Sequence, residues 1–125
     1  MRNLLNILII DDDKDITNVL DIYLSQNNTT VVFNDPLEAL EHYQENTIYD
    51  IITVDFFMPQ LRGDKLVEKI LKINPNQNLI ACSGSPTAEF HRMIRKHKSL
   101  IQVITKPFIF SDFDDAIATI TNKNP

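Results

Sequence analysis

The sequence has 125 residues, a net charge of −5 and a pI near 5.0, which is enough chain for one domain with a single core. Hydrophobic residues make up 43% and charged residues 23% of it, an ordinary globular composition that excludes a disordered or fibrous chain. We interpret the lysines and arginines as scattered along the chain. Together with the negative net charge, this argues against a broad basic face that binds nucleic acid.

The cysteine content and the hydropathy pattern bear on where the protein works. Cys82 is the only cysteine, so we expect no intrachain disulfide and no cysteine metal cluster, and we interpret it as a small core residue. No apolar run approaches the roughly 18 residues that a membrane span requires. We therefore expect a cytoplasmic domain over residues 1–125, without direct contact to membrane or nucleic acid.

The first half of the chain alternates between apolar strands and amphipathic helices. A strand at Leu4–Ile10 ends at three consecutive acids, Asp11 to Asp13. A helix follows, marked by Ile16, Leu20 and Tyr23 at helical spacing. The β-branched and aromatic residues of 29–33 predict a second strand. Asp35 as N-cap and Pro36 at the first position predict the next helix, whose buried face is Leu37, Leu40 and Tyr43.

The second half repeats the alternation. Tyr49–Val54 reads as a fully buried third strand that ends at Asp55, and Met58-Pro59 cannot extend it. A helix carrying Leu66, Val67, Ile70, Leu71 and Ile73 follows Gly63. A fourth strand at Leu79–Cys82 leads to Ser83-Gly84, and a fourth helix carries Phe90, Met93, Ile94 and His97. A fifth strand at Leu100–Thr105 precedes Lys106-Pro107. Ser111 to Asp114 is typical of a capping box before the last helix.

Five strands alternating with five helices predict βαβ units on a parallel sheet. Right-handed crossovers bring the carboxyl ends of all strands to one edge, where open α/β sheets bind their ligands. The polar residues expected to meet there are Asp11, Asp12, Asp13, Asp55, Ser83 and Lys106.

The charges of this edge predict its chemistry. Carboxylates crowded in a crevice raise one another's pKa unless a cation compensates them, and Mg²⁺ prefers such oxygen ligands and accompanies phosphate. A lysine and a hydroxyl would hold phosphate oxygens from the other side. A carboxylate nucleophile in this setting predicts phosphoryl transfer to Asp55.

Taken together, several motifs resemble the receiver domain of two-component response regulators. They are Leu8-Ile9-Ile10-Asp11-Asp12-Asp13, Asp55 with Met58-Pro59 and Gly63, Ser83-Gly84, and Lys106-Pro107-Phe108. The resemblance spans the chain and implies a flavodoxin-like (βα)5 fold, a doubly wound parallel sheet of strand order 2-1-3-4-5. It also implies a cis Lys106-Pro107 bond.

The resemblance implies a role for each site residue. Asp55 would accept a phosphoryl group from a histidine kinase or phosphotransfer protein, with Lys106 and Ser83 contacting that group. Asp12 and Asp55 would bind Mg²⁺ directly, Phe57 through its backbone carbonyl, and Asp11 through a water molecule. The domain would catalyse only its own phosphorylation and dephosphorylation. It would signal through a downstream effector protein or through an output domain missing from this sequence, often at the face formed by the fourth helix, fifth strand and fifth helix.

Val103 and Phe57 are among the positions that depart from the family pattern. Val103 stands where the family usually has a tyrosine or phenylalanine that turns inward with the hydroxyl, so coupling through an aromatic rotamer is not expected. Phe57 is bulky beside the acceptor and should change the lifetime of the phosphoryl group.

Other interpretations stay open. The domain could be a pseudo-receiver that only docks partners, or an Mg²⁺-dependent aspartyl phosphatase. Asp13 could serve only as a helix cap. The three histidines, His42, His91 and His97, are interpreted as solvent-facing helical residues, and the basic side chains of the fourth helix as a solvated face. Phe108, Phe110 and Phe113 are interpreted mainly as packing residues, with exposed members available to a partner.

Overall fold

A computed structural model describes residues 4–85 and 87–123. The five strands are β1 (Asn6–Ile10), β2 (Thr29–Phe33), β3 (Ile51–Asp55), β4 (Asn78–Ser83) and β5 (Ile101–Thr105). The five helices are α1 (Lys14–Leu24), α2 (Pro36–Glu45), α3 (Gly63–Ile73), α4 (Ala88–Lys96) and α5 (Phe110–Lys123). Strand and helix alternate along the described chain, as the sequence pattern predicts. None of the described helices is long and apolar enough to cross a bilayer.

The strands form one parallel sheet in the order β2-β1-β3-β4-β5, which confirms the predicted flavodoxin-like topology. Strands β1 and β3 lie side by side, with Ile10 opposite Val54. On the other side of β3, Asp55 lies opposite Cys82, and Ser83 of β4 lies opposite Thr105 of β5. The strand order therefore brings the residues that follow β1, β3 and β5 to one edge of the sheet.

The core has two layers, one on each face of the sheet. Alternate residues of each strand point to opposite faces, so Leu8 and Ile10 belong to one layer and Ile7 and Ile9 to the other. The first layer is closed by α2, α3 and α4, chiefly through Tyr43, Leu66, Ile70, Phe90 and Met93. The second is closed by α1 and α5 through Leu20, Leu24, Phe113, Ala116 and Ile120. Both faces of the sheet are covered, which explains why its strands read as continuous apolar runs.

Helix starts follow the sequence at α1 and α2 but not at α5. The carboxylate of Asp13 accepts hydrogen bonds from the amides of Asp15 and Ile16, and that of Asp35 accepts one from Leu37. The predicted capping box at Ser111 is wrong. The helix α5 begins at Phe110, one residue before Ser111, and Asp112 reaches back to accept a hydrogen bond from the Ile109 amide at 3.0 Å.

Two of the three histidines are less exposed than expected. His91 is exposed, but the half-buried His42 lies between Phe33 and Tyr49, with its Nε2 2.6 Å from the Tyr49 hydroxyl. His97 caps the end of α4, with Nε2 3.5 Å from Glu68 on α3. Both histidines therefore join neighbouring elements.

Candidate phosphoacceptor and metal site

Three carboxylates converge at the carboxyl edge of the sheet. Asp11 and Asp12 directly follow β1, and Asp55 ends β3. One carboxylate oxygen from each lies within 4.8 Å of the other two. Asp11 and Asp55 are only 4% and 6% exposed, whereas Asp12 is open to solvent. The cluster thus has a buried base and one accessible side.

Short contacts fix Asp11 at the base of this cluster. Its Oδ1 accepts a hydrogen bond from the Asp13 amide at 3.0 Å. Its carbonyl accepts one from the Asn34 Nδ2 at 2.9 Å, and the same nitrogen lies 2.9 Å from the hydroxyl of the buried Thr17. Asn34 and Thr17 were not identified as supporting residues from the sequence. The available signal was the position of Asn34, a polar residue directly after β2. Through them, β2 and α1 hold the first acidic loop in place.

The end of β3 is held by the loop that follows it. The Phe56 amide donates to the Cys82 carbonyl at 2.9 Å, and the Gly63 amide donates to the Phe56 carbonyl at 2.7 Å. A Cβ at position 63 would lie 2.6 Å from the Asp55 carbonyl oxygen and 2.7 Å from the Phe56 Cα. Only glycine allows α3 to start this close to the acceptor residue. In the sequence Gly63 was interpreted only as a loop residue and part of a motif.

Lys106 provides the positive charge of the site. Its Nζ lies 2.8 Å from Asp55 Oδ1 and 3.3 Å from Asp11 Oδ2. Its amide donates to the Ser83 carbonyl at 2.9 Å, and the peptide bond to Pro107 is cis, as the resemblance implies. One ammonium therefore bridges both buried carboxylates.

Ser83 stands at the end of β4, beside the lysine. It is 2% exposed, and its Oγ accepts a hydrogen bond from the Ser85 amide at 3.3 Å. Among the described residues, no acceptor takes its hydroxyl proton. Among the described residues the hydroxyl is thus a free donor, in a residue whose carbonyl binds the Lys106 amide.

Burial dominates the protonation of the cluster. It raises the pKa of Asp11 to about 6, against a hydrogen bond from the Asp13 amide and with support from the negative charge of Asp55. Burial also raises the pKa of Asp55, although Lys106 acts in the opposite direction. Burial alone would lower the pKa of Lys106, but its bond to Asp55 and the two negative charges raise it. A single ammonium does not fully compensate the buried carboxylates.

The residues present fit a hard divalent cation. Mg²⁺ binds oxygen ligands, usually one or two carboxylates together with water and phosphate. The three clustered carboxylates offer such ligands, and the raised pKa values of Asp11 and Asp55 indicate that more positive charge would stabilise their ionised forms. The roles assigned in the sequence to Asp12, Asp55, Asp11 and the Phe57 carbonyl stay predictions.

Phe57 and Val103, which depart from the family pattern, are both exposed. The Phe57 ring, 51% exposed, packs edge-on against the buried Phe56 at 5.1 Å. Phe56 in turn meets Phe90 of α4 edge-on at 4.9 Å. Val103 on β5 is 43% exposed and lies opposite Ala81. The aromatic contact between the acceptor loop and α4 therefore runs through Phe56 and Phe90.

An exposed apolar patch borders the site. We call the surface formed by Ile16, Val19, Pro107, Phe108, Ile109 and Phe110 the β5–α5 patch. Ile109 is 66% exposed, and Phe110, itself 38% exposed, stacks on Tyr23 of α1 at 4.4 Å. Phe113 is fully buried, so of the three phenylalanines only Phe113 is purely a packing residue. Lys106 borders the patch and connects it to the carboxylate cluster.

The fold, the acidic cluster and the bridging lysine together define a receiver domain. The sequence profile of the family described as "Response regulator receiver domain" matches residues 7–118. The chain belongs to this family and is a receiver domain of two-component signalling.

Two curated relatives are similar to this chain over stretches of different length. The chain is 43% identical over 47 residues, 38% of each chain, to the chemotaxis protein CheY of Thermotoga maritima. It is 31% identical over 108 residues to protein-glutamate methylesterase/protein-glutamine glutaminase 1 of Geobacter metallireducens, covering 84% of this chain and 30% of that one. The matches span less than two fifths of the length of these relatives.

Solved receiver structures superpose along nearly the whole chain. A CheY-like receiver domain protein of Methanospirillum hungatei JF-1 has a TM-score of 0.87 at 24% identity, covering 97% of this chain and 96% of that one. The receiver domain of the Francisella response regulator 1452 has a TM-score of 0.80 at 28% identity, covering 97% and 99%. The first likeness supports the fold alone, and the second also supports the family.

Proposed function

We propose that this receiver domain accepts a phosphoryl group on Asp55 from the phosphohistidine of a histidine kinase or phosphotransfer protein, with Mg²⁺ bound in the carboxylate cluster. The observation that carries the proposal is the position of the Lys106 Nζ, 2.8 Å from the Asp55 carboxylate and 3.3 Å from that of Asp11. A lysine that bridges two buried acids, beside a free hydroxyl, supplies the groups that phosphoryl transfer to a carboxylate requires.

Each residue of the site has one task in this transfer. Lys106 holds Oδ1 of Asp55, which leaves Oδ2 to attack phosphorus. As the new O–P bond forms, the P–N bond of the donor breaks and its electron pair stays on the donor imidazole. Lys106 and the Ser83 hydroxyl then donate to oxygens of the attached phosphoryl group. These contacts form only when Asp55 carries the phosphoryl group. They would therefore favour a different conformation at the ends of β4 and β5 in the phosphorylated domain than in the unphosphorylated one.

The metal would be held by Asp12 and Asp55 directly, by the Phe57 carbonyl, and by Asp11 through water. When bound, Mg²⁺ supplies positive charge that offsets the charge of the carboxylates and of the phosphoryl oxygens. Asp11, buried and fixed by the Asp13 amide, keeps the acidic loop in register for that role.

The β5–α5 patch suits a protein phosphodonor. A donor histidine must come within bonding distance of Asp55, and exposed apolar surface beside a site favours docking of a protein over a small molecule. Ile109 and Phe110 are exposed on this patch, and Lys106 connects it to the acceptor. We propose that the donor docks here, that the domain works in the cytoplasm, and that its only reaction is its own phosphorylation and dephosphorylation.

Intact mass spectrometry after incubation with Mg²⁺ and acetyl phosphate tests the proposal. We expect one added phosphoryl group, which disappears when a chelator replaces Mg²⁺ and in Asp55→Asn. Asp50→Asn is the matched control, because Asp50 precedes β3 and lies at the opposite edge of the sheet, bound to the Asn6 amide.

Two other outcomes would replace the proposal. No adduct with acetyl phosphate or with a panel of histidine kinases would favour a pseudo-receiver that only docks partners. Steady release of phosphate from unrelated phosphate esters would favour an aspartyl phosphatase.

A further inference from the structure

Positive charge in this acidic chain is concentrated in one segment. Residues 62–98 hold eight of the twelve lysines and arginines and only three of the seventeen acidic residues. The expectation that basic residues are scattered along the chain is therefore wrong. The segment contains α3 and α4, which pack side by side on one face of the sheet.

A groove of about 410 Å³ runs between α3 and α4. Six basic side chains line it: Arg62, Lys65, Lys69 and Lys72 from the α3 side, and Arg92 and Lys96 from α4. The buried Met93 also lines the groove, and Met adapts its shape to apolar partners. We call this surface the basic groove. No residue of the carboxylate cluster belongs to it.

The lysines of α3 are available to a ligand. Lys65, Lys69 and Lys72 are exposed, and no carboxylate among the described residues pairs with them. They follow one another at intervals of four and three residues, so they repeat about once per helical turn, roughly every 5 Å along α3. This spacing matches carboxylates placed one turn apart on another helix.

The acidic residues of the groove argue for a peptide and against a nucleic acid. Asp64 pairs with Arg62 through two bonds of 2.7 and 3.0 Å, and Glu68 lies 3.6 Å from Lys96. Glu89 adds a third carboxylate. A continuous phosphate backbone would approach these carboxylates, whereas a helix can place its acids opposite the free lysines only. The net charge of −5 also opposes a polyanion at long range.

We propose that the basic groove binds an acidic helical segment of a partner protein, with its carboxylates on Lys65, Lys69 and Lys72 and an apolar side chain over Met93. The aliphatic stems of the lysines widen the apolar contact. This inference goes beyond phosphotransfer at Asp55 and does not depend on it.

Binding can be tested with a fluorescein-labelled alanine-based peptide of about 15 residues that carries glutamates one helical turn apart. We expect its fluorescence anisotropy to rise with the full chain, in the absence of any phosphodonor, and its glutamine counterpart to give no rise. In ¹H–¹⁵N spectra of the wild-type protein, the shifts should map to α3 and α4.

Two double variants with the same change of charge distinguish contacts in the groove from the overall electrostatic attraction between the protein and the peptide. Lys65→Glu/Lys69→Glu should weaken binding at least about tenfold, since two charge contacts become repulsive. Arg95→Glu/Lys98→Glu, on exposed positions that do not line the groove, should change it by less than about threefold. Circular dichroism confirms that each variant is folded.

Three outcomes would overturn the inference: equal weakening in both double variants, shifts spread over the whole molecule, or a single-stranded oligothymidylate that binds the groove more tightly than the peptide. Each of these outcomes leaves the mass test of Asp55 unaffected, so the two proposals fail independently.

Discussion

Asp11 is the residue where burial and function conflict most directly. Its carboxylate is nearly inaccessible, accepts a hydrogen bond from the Asp13 amide and lies 3.3 Å from the Lys106 Nζ. Even so, burial raises its pKa to about 6. A carboxylate kept there at a cost to stability is typical of a binding site rather than of a folding core.

This raised pKa predicts an unusual pH dependence of stability in the absence of metal. Between about pH 4 and 6 the folded chain binds more protons at Asp11 than the unfolded chain does. The free energy of unfolding should therefore fall as the pH rises through this window, with the loss complete above about pH 6. Asp11→Asn should flatten this profile and be more stable near neutral pH by roughly 1 to 2 kcal/mol.

Urea denaturation in EDTA across this pH range measures the effect. Glu41→Gln, an exposed change on α2 that removes the same charge, should keep the profile of the wild type. If the profile of Asp11→Asn ran parallel to that of the wild type, the assignment of the titration to Asp11 would be wrong.

At the scale of elements, the contact between α3 and the end of β3 decides the geometry of the acceptor. The Gly63 amide bonds to the Phe56 carbonyl at 2.7 Å, and the backbone of Asp55 and Phe56 fills the space where a side chain would begin. Helix α3 can therefore take its place only if its first residue has no Cβ. Its position in turn orients the residues beside Asp55.

Gly63→Ala should destabilise the protein, although alanine favours helices. Its Cβ would meet backbone atoms at 2.6 and 2.7 Å, which cannot move without shifting β3. We expect a loss of about 1 to 3 kcal/mol, measured by urea denaturation, together with slower phosphorylation by acetyl phosphate. Gly84→Ala is the matched control: its Cβ would lie at an ordinary 3.6 Å from the Lys106 Cβ, so its effect should stay within about 0.5 kcal/mol.

The elements themselves were largely predictable, because buried strands and amphipathic helices leave separate periodic signals. Helix α2 was placed by Asp35 and Pro36, whose preferences are local. The start of α5 was not, because no serine or threonine directly precedes it: the carboxylate of Asp112 accepts a hydrogen bond from the Ile109 amide, which no capping motif in the sequence indicates. His42 was misplaced for a different reason: its partner Tyr49 lies outside α2, in the loop before β3, and the periodic pattern of one helix cannot reveal such a contact.

At the scale of the molecule, one edge of the sheet gathers acids from two strands and a lysine from a third. The sequence predicted that meeting from the topology of parallel strands, but not the 2.8 Å contact of Lys106 with Asp55 or the supporting role of Asn34. The strand order itself came from the family resemblance. The basic groove was overlooked because only the basic residues of the fourth helix were considered together, although the charge of residues 62–98 could be counted in the sequence.

The excess of negative charge in the carboxylate cluster predicts that Mg²⁺ stabilises the whole domain. Ligand that binds only the folded chain adds about 2.7 kcal/mol when it exceeds its Kd about 100-fold. Urea denaturation in Mg²⁺ against EDTA, at matched ionic strength, should reveal a gain of this order. Asp12→Asn should lose most of the gain, whereas Glu41→Gln should keep it. An equal gain in the wild type, Asp12→Asn and Glu41→Gln would contradict the prediction, because Mg²⁺ would then act as a general salt and not at the carboxylate cluster.

Cys82 gives the molecule a built-in reporter. This sole cysteine lies in β4 next to Asp55, and burial raises its pKa to about 12, so in the native state it is neither exposed nor a thiolate. Cys82 belongs to the core layer under α1 and α5, so alkylating reagents can reach it only when that layer opens. The rate at which a thiol reagent modifies the unaltered chain would therefore measure how often this layer opens, without any engineered label.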